Sequence, residues 1–367
     1  MTKGNGPRAN SSEFDAGRRG LLKTAAGLAS ASAALGLGTA FAQNGPAANR
    51  DPATASVIRP APPAIEGTHL VLLGTHGGPS IDLHRAMTSS LVLVDGTPYL
   101  IDCGYGTMRD LVACGLGYMR VSNVFFTHLH NDHTLDLPAL LSLQWTGNKM
   151  RQTDVYGPYG TAAMVEAAKV FFAADVGIRV ADEGRTIDPN KVFRGYDLAA
   201  TEDPAQVYKD DKVTVKSIEN AHYPERSKAR MPYRSVGYRF DTKERSIVFS
   251  GDTAYTKNLV KLARGADIYV SEIMNQAIYD QMSKRAKEEA EKGNPNNIWR
   301  HVATTHSTPT DVGRTAREAK VKTVVLNHLL PGTVTEGRLN FPISTFIDGV
   351  RKEFDGEVIV ANDLMVL

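Results

Sequence analysis

The chain has 367 residues, 42% of them apolar and 22% charged; it can bury a full core in one large domain or two modest ones, and wholesale disorder is excluded. Its formal net charge is +2, but residues 1–42 hold Lys3, Arg8, Arg18, Arg19 and Lys23 against Glu13 and Asp15, so the remainder is close to neutral. A nucleic-acid binder usually carries a basic surface, and this charge balance gives no hint of one.

Residues 1–42 read as an export signal: polar residues, then Arg18-Arg19-Gly20-Leu21-Leu22-Lys23, a mild Ala/Gly/Leu/Ser stretch from Thr24, and Ala40-Phe41-Ala42 before Gln43. Paired arginines before a weakly apolar stretch resemble a twin-arginine signal, with cleavage expected after Ala42 and a periplasmic or secreted product. The alternative is a retained anchor, but Ala, Gly, Ser and Thr make a poor bilayer span. No later run of about 20 apolar residues would cross a membrane. Residues 43–66, with Pro60, Pro62 and Pro63, form an expected tail, and the folded body should occupy 67–367.

Along that body, apolar periodicity predicts a strand over 68–73, a glycine loop, strands at 90–94 and 98–102 around the turn Asp95-Gly96, and a helix over 106–114. A strand at 123–126 delivers a histidine-rich loop, with His133 opening the helix behind it. A strand near 153–156, a helix over 159–173 and a poorly patterned, loop-like stretch over 174–210 follow. Strands are then expected at 212–218, 235–240, 246–249 and 268–270, with a helix at 256–263. Helices at 277–292, 309–319 and 342–353, and strands at 322–326, near 357 and near 365, complete the chain. The charged helix at 277–292 reads as a solvated face. Cys103 and Cys114 are expected to be small buried residues rather than ligands, although an exported protein permits a disulfide between them.

The run His128-Leu129-His130-Asn131-Asp132-His133 carries the chemistry. Two histidines one residue apart on a locally extended loop can converge on one divalent ion, while Asp132 and His133 turn towards a second. Imidazole with carboxylate suits zinc, with iron or manganese as alternatives. Further ligands should stand at the ends of later strands, where loops converge on one sheet edge. Asn220-Ala221-His222, Ser250-Gly251-Asp252-Thr253 and Asn327-His328 each follow an apolar strand in that way.

With these residues the chain resembles the metallo-β-lactamase superfamily from about Thr68 to the C-terminus. The resemblance implies a four-layer αββα sandwich with metals at one edge. It implies that His128, His130 and His222 hold the first zinc ion, that Asp132, His133 and His328 hold the second, and that Asp252 bridges them. The nearest likeness is the ribonuclease Z branch, through Leu73-Gly74-Thr75, Thr88-Ser89-Ser90, the run from Ile101 to Thr107 and, above all, His306-Ser307-Thr308. In that branch the triplet histidine helps protonate the leaving group, a role carried to His306. Thr308, Pro309 and Asp311 also make a credible helix start, and a histidine there would have its cationic form disfavoured.

Four features depart from the ribonuclease pattern. Tyr105 replaces the usual acidic residue, the first glycine loop carries His76, Leu329-Leu330-Pro331-Gly332 follows His328, and no long Gly/Pro-rich arm for transfer RNA is visible. The expected activity is therefore that of an exported zinc hydrolase in which a metal-bridging hydroxide cleaves a phosphodiester or aryl sulfate ester of a small substrate. Asp132 also orients the hydroxide in this reading. Exported zinc arylsulfatases and a hydrolytic dehalogenase of aromatic compounds share this build. The alternatives are such a dehalogenase, a ribonuclease Z-like RNA endonuclease, or an iron-dependent oxidoreductase on the same fold. Asp102 is expected to orient a ligand histidine or to cap a turn. Tyr105, His76, Tyr223 and Trp299 are candidates for a substrate wall, while His69, His84 and His301 have no role beyond packing or surface placement. The expected partners are a small-molecule substrate and the twin-arginine machinery, not nucleic acid, and a homodimer is compatible with the sequence.

Overall fold

The computed structural model describes residues 66–335 and 338–367. The export signal at 1–42, with its cleavage site, and all but the last residue of the tail at 43–66 lie outside the described residues.

The first half of the chain supplies β1 (Thr68–Gly74), β2 (Ser89–Val94), β3 (Thr97–Ile101), β4 (Asn123–Phe125), β5 (Thr153–Pro158) and β6 (Phe193–Leu198). The second supplies β7 (Ala205–Lys209), β8 (Val213–Glu219), β9 (Val236–Thr242), β10 (Ser246–Phe249), β11 (Ile268–Met274) and β12 (Thr323–Leu330), then the hairpin β13 (Val334–Thr335) and β14 (Arg338–Leu339), β15 (Glu357–Val360) and β16 (Met365–Val366). Two seven-stranded sheets result, ordered β16-β1-β2-β3-β4-β5-β6 and β15-β12-β11-β10-β9-β8-β7.

Side-chain alternation divides each central strand between two interiors, because successive residues of a strand point to opposite faces. On β1, Leu70 and Leu72 enter the core between the sheets, where they join Phe125, Tyr238 and Phe240, while Val71 and Leu73 face outwards. That outer layer is closed by helices α1 (Thr107–Ala113), α3 (Leu137–Thr146) and α4 (Thr161–Phe171), through Leu111, Leu140, Trp145 and Val165, with the short α2 (Asn131–Thr134) between α1 and α3 in sequence. Next come α5 (Ala173–Glu183), α6 (Pro189–Val192) and α7 (Glu225–Lys228). The second sheet's outer face meets α8 (Lys257–Leu262), α11 (Pro309–Ala319) and α12 (Ser344–Arg351), through Leu259, Ala316 and Phe346. Between them in sequence lie α9 (Gln276–Glu291) and α10 (Ile298–Thr305). This is the αββα sandwich expected from the resemblance. Strands buried on both faces read as unbroken apolar runs, which is why they stood out in the sequence.

The stretch 174–210 is not the loop that its pattern suggests: it contains most of α5, then α6, β6 and β7. None of α5's residues is fully buried, and Arg179 steadies the helix by pairing with Asp175 and Glu183 one turn away on either side. On the edge strand β6, Gly195 leaves room for α4, since a Cβ there would lie 2.6 Å from Ala162 Cα. The edge strands β6 and β7 bury too few side chains to show a clean apolar alternation. Helix α10 was also unforeseen; the Asn297 side chain caps it, accepting from the Arg300 amide at 2.9 Å. Helix α2 starts at Asn131, two residues before His133. Cys103 and Cys114 are buried free thiols, not a disulfide. No described helix is long and apolar enough to cross a membrane.

Candidate metal centre

The site lies where β3, β4, β8, β10, β11 and β12 reach the same edge of the two sheets. The loop after β4 provides His128 and His130, and α2 provides Asp132 and His133; His222 follows β8 and Asp252 follows β10. His328 lies within β12 as the extra residue of a bulge: Glu272 pairs with Asn327 and Ile273 with Leu329, and His328 has φ +42. Asp102, just after β3, also has a positive φ, +58. Such backbone positions cost of order 1–3 kcal/mol for residues other than glycine and persist only where the surroundings fix them.

Two donor groups converge. His130 Nδ1 stands 3.0 Å from His128 Nε2 and 3.1 Å from His222 Nε2. Asp132, His133, Asp252 and His328 form the second group, with Asp252 Oδ2 3.2 Å from His328 Nε2, and Asp252 Oδ1 3.3 Å from His133 Nε2. Asp252 Oδ2 also lies 3.8 Å from His128 Nε2, so this carboxylate stands between the groups. Gly78 donates its amide to Asp132 Oδ2 at 3.0 Å, and a Cβ at Gly78 would lie 2.3 Å from that carboxyl group, so only glycine allows the approach.

The donor chemistry fits cations. His133 Nε2 and Asp252 Oδ1 are buried and have no hydrogen-bond partner, a costly arrangement unless another ligand satisfies them. The opposite ring nitrogens are held by protein: His133 Nδ1 by Asp102 Oδ2 at 2.8 Å, and His222 Nδ1 by the Thr305 carbonyl at 3.2 Å. Asp102 is itself fixed by the Thr127 amide at 2.8 Å and the Thr127 hydroxyl at 2.9 Å. Such contacts set tautomer and ring orientation, leaving Nε2 lone pairs aimed inwards.

Electrostatics differ between the groups. Burial, reinforced by neighbouring histidines, pushes His128 and His222 well below the usual imidazole range, and burial also lowers His130. Burial acts in the same sense on His133 and His328, but the carboxylates outweigh it: Asp252 and Asp102 hold His133 well above the usual range, and Asp252 and Asp132 raise His328. Asp132 and Asp252 resist the upward push of burial because of His133 and His328, and both stay ionised.

His306 stands beside the second group, its ring stacked at 12° to His328 with centroids 5.9 Å apart. Its Nδ1 lies 2.9 Å from Glu272 Oε2, while Glu272 Oε1 accepts from the Thr253 amide at 2.6 Å. The triplet also begins a helix, where Thr308 and Asp311 form a reciprocal cap. That helix start does not suppress the cation as the sequence suggested. Against the downward push of burial, Glu272 raises His306 to about 9.

Two residues of the site were missed. Glu272 had a usable signal, being an acid at the end of an apolar strand on the shared edge. His301 had none, because α10 itself was not foreseen. Its ring centroid lies 5.2 Å from that of His222 and 6.0 Å from those of His130 and His306, and its ligand atom stands with those of His222 and His306. Of the proposed substrate wall, Tyr223 alone lines a cavity at the centre, and burial raises its phenol well above the usual range. Trp299 instead packs under the Arg285 guanidinium, 4.7 Å from its ring. Tyr105 is largely exposed, and His76 is buried with its Nε2 3.3 Å from Ser80 Oγ; neither lines the cavities that the centre's residues share.

Two layered sheets with a histidine and aspartate cluster of this kind at one edge define a metal-dependent hydrolase class. The family described as "Beta-lactamase superfamily domain" matches residues 97–329. A protein of Mycobacterium bovis (strain BCG / Pasteur 1173P2) named Ribonuclease Z is 31% identical over 301 residues, which cover 80% of this chain and 96% of that protein. The human short-form tRNase Z structure aligns with a TM-score of 0.54 at 22% identity, covering 82% of this chain and 98% of that one. Zn(2+)-bound PqqB from Methylobacterium extorquens aligns with a TM-score of 0.55 at 15% identity, covering 82% and 99%. The chain belongs to the metallo-β-lactamase superfamily, in its ribonuclease Z-like branch, and is a metal-dependent hydrolase.

Proposed function

We propose that this hydrolase holds two zinc ions and cleaves a phosphodiester-type bond in a small substrate. The observation that carries the reading is Asp252, placed between two donor groups with the paired His306 and Glu272 alongside. His128, His130 and His222 would hold one ion, and Asp132, His133 and His328 the other, with Asp252 shared. Bound as a pair, the ions would acidify a water and polarise the ester oxygen. Glu272 fixes Nδ1 of His306 and keeps the ring cationic, so Nε2 is the atom that delivers a proton to the leaving oxygen. Asp102 keeps His133 in the tautomer that presents Nε2, and the Thr305 carbonyl does the same for His222.

A second reading, cleavage of precursor RNA, is favoured by the name of the 31% identical relatives. Against it stand the near-neutral charge outside residues 1–42 and the missing Gly/Pro-rich arm. The paired arginines at 18–19 support export of the folded enzyme, which subcellular fractionation with and without an Arg18→Lys, Arg19→Lys change would test.

The deciding experiment is one purified sample assayed on bis(4-nitrophenyl) phosphate, 4-nitrophenyl sulfate, a carboxylic ester, a lactone, an aryl halide and precursor transfer RNA, with metal analysis alongside. Two zinc ions and phosphodiester turnover are expected. Turnover confined to the sulfate or the halide reassigns the substrate, salt-sensitive RNA cleavage favours the second reading, and stoichiometric iron with oxygen uptake defeats hydrolysis.

A further inference from the structure

Beyond the metal centre, the first sheet's helical layer and the loop after β8 line an open cavity of about 720 Å³. One turn of α4 lines it with Ala163, Met164 and Ala167, and Tyr223, Met231 and Tyr233 face them. Gly160 holds the corner with φ +104, where a Cβ would lie 3.0 Å from both Leu129 Cδ1 and Tyr233 Cε1. His130 and His301 line this cavity and also the smaller cleft, of about 250 Å³, that contains Asp132, Asp252, His306 and His328. The two spaces therefore share a wall at the metal centre.

The chemistry of the linings is one-sided. Among the described residues that line these two cavities there is no lysine or arginine. Arg230 lines the adjoining groove with Asn296 and Asn297. A polyanion needs several cations along its backbone path, whereas an apolar wall with a few polar groups at its mouth suits one uncharged group. Small side chains on α4 leave the room, and the methionines and tyrosines supply adaptable, flat contact surface.

We propose that this cavity is the specificity pocket of the hydrolase, and that it takes an apolar, ring-sized substituent of an ester whose charged centre lies in the cleft. The pocket rests on the hydrolytic reading above for the nature of the charged centre, but its own occupancy does not require turnover. Its volume lies within the roughly 300–1,000 Å³ of ordinary small-molecule sites, large enough for a bicyclic ring.

The test is calorimetric titration of the full chain, loaded with zinc, with methylphosphonate and with 1-naphthylphosphonate, neither of which can be hydrolysed. The naphthyl compound should bind about tenfold or more tightly than the methyl one, as expected for a ring received by an apolar pocket. Ala167→Trp, which fills the space from α4, should bring the ratio of the two affinities close to one while zinc content matches the wild type. Ala163→Asp, which sets a charge in the same space from an exposed helix position, carries the same expectation if the tryptophan variant fails to fold. A ratio near one in the wild type overturns the proposal, and is also what a cavity filled by another part of the chain or by a second copy would give. A ratio preserved in both variants overturns it equally. Ester turnover without any apolar preference removes the pocket alone. An apolar preference in binding without turnover of any ester removes the hydrolytic reading and leaves the pocket standing.

Discussion

Loading the metal-free protein with zinc should release more protons from one donor group than from the other. In the metal-free chain His133 and His328 have pKa values above the ordinary 6.5, because Asp252, Asp102 and Asp132 outweigh burial. Burial holds His128 and His222 well below 6.5 and lowers His130, so this group gives up its protons more readily. A cation entering the group of Asp132, His133, Asp252 and His328 must displace the protons held by His133 and His328, two at most, because both carboxylates are already ionised. The sign follows from competition: a raised imidazole pKa means the proton is held below it, so affinity climbs as pH rises towards that pKa and levels off beyond it. Each displaced proton contributes about 1.4 kcal/mol per pH unit, so two give about 2.7 kcal/mol, or roughly a hundredfold in affinity, between about pH 5.5 and 6.5. Titration calorimetry in two buffers of different ionisation enthalpy counts the protons directly. Affinity at the three-histidine group should change less over that interval, because burial lowers all three of its imidazoles. PH-independent binding at both groups, with no proton release, would refute the assignment of charges and the division into two donor groups.

Three other outcomes follow from single contacts. Asp102→Asn keeps the shape but removes the charge 2.8 Å from His133 Nδ1, and should weaken zinc binding about 10–100-fold in competition with a chelator; unchanged affinity would show that Asp102 only supports the turn. Glu272→Gln removes the charge that keeps His306 cationic, so burial then lowers its pKa from about 9. Its rate profile should lose its alkaline side first, with turnover at about pH 8 reduced by roughly a hundredfold, and an unmoved profile would count against His306 as the acid. Phe125→Ala opens the core between the sheets, where the ring lies 5.1 Å from Tyr156 and 5.2 Å from Phe240; denaturant unfolding should show a loss of about 3–5 kcal/mol.

What could be read along the chain was whatever local chemistry repeats. The run from His128 to His133 concentrates four potential ligands in six residues, and His222, Asp252 and His328 each follow an apolar strand, so their type and their position at strand ends were both visible. The doubly buried strands were equally plain because both of their faces are apolar. The same logic explains the failures at the edge strands β6 and β7, which bury too few side chains to leave a pattern, while α10 is only eight residues long.

The sequence by itself determined which side chains could bind metal and that two layers of strands would be covered by helices. Only the tertiary structure decided the state of those side chains and what surrounds them. Glu272 and His306 are 34 positions apart, yet their 2.9 Å contact reverses the protonation that the helix start alone would give. His301 joins the centre because α10 folds over it, while Trp299, two residues away, turns to Arg285 on α9. The apolar cavity likewise exists only where α4 meets the loop after β8. Ligand identity is a property of a residue, but charge state and cavity shape depend on burial and on neighbours that are distant in the chain, and those are set by packing.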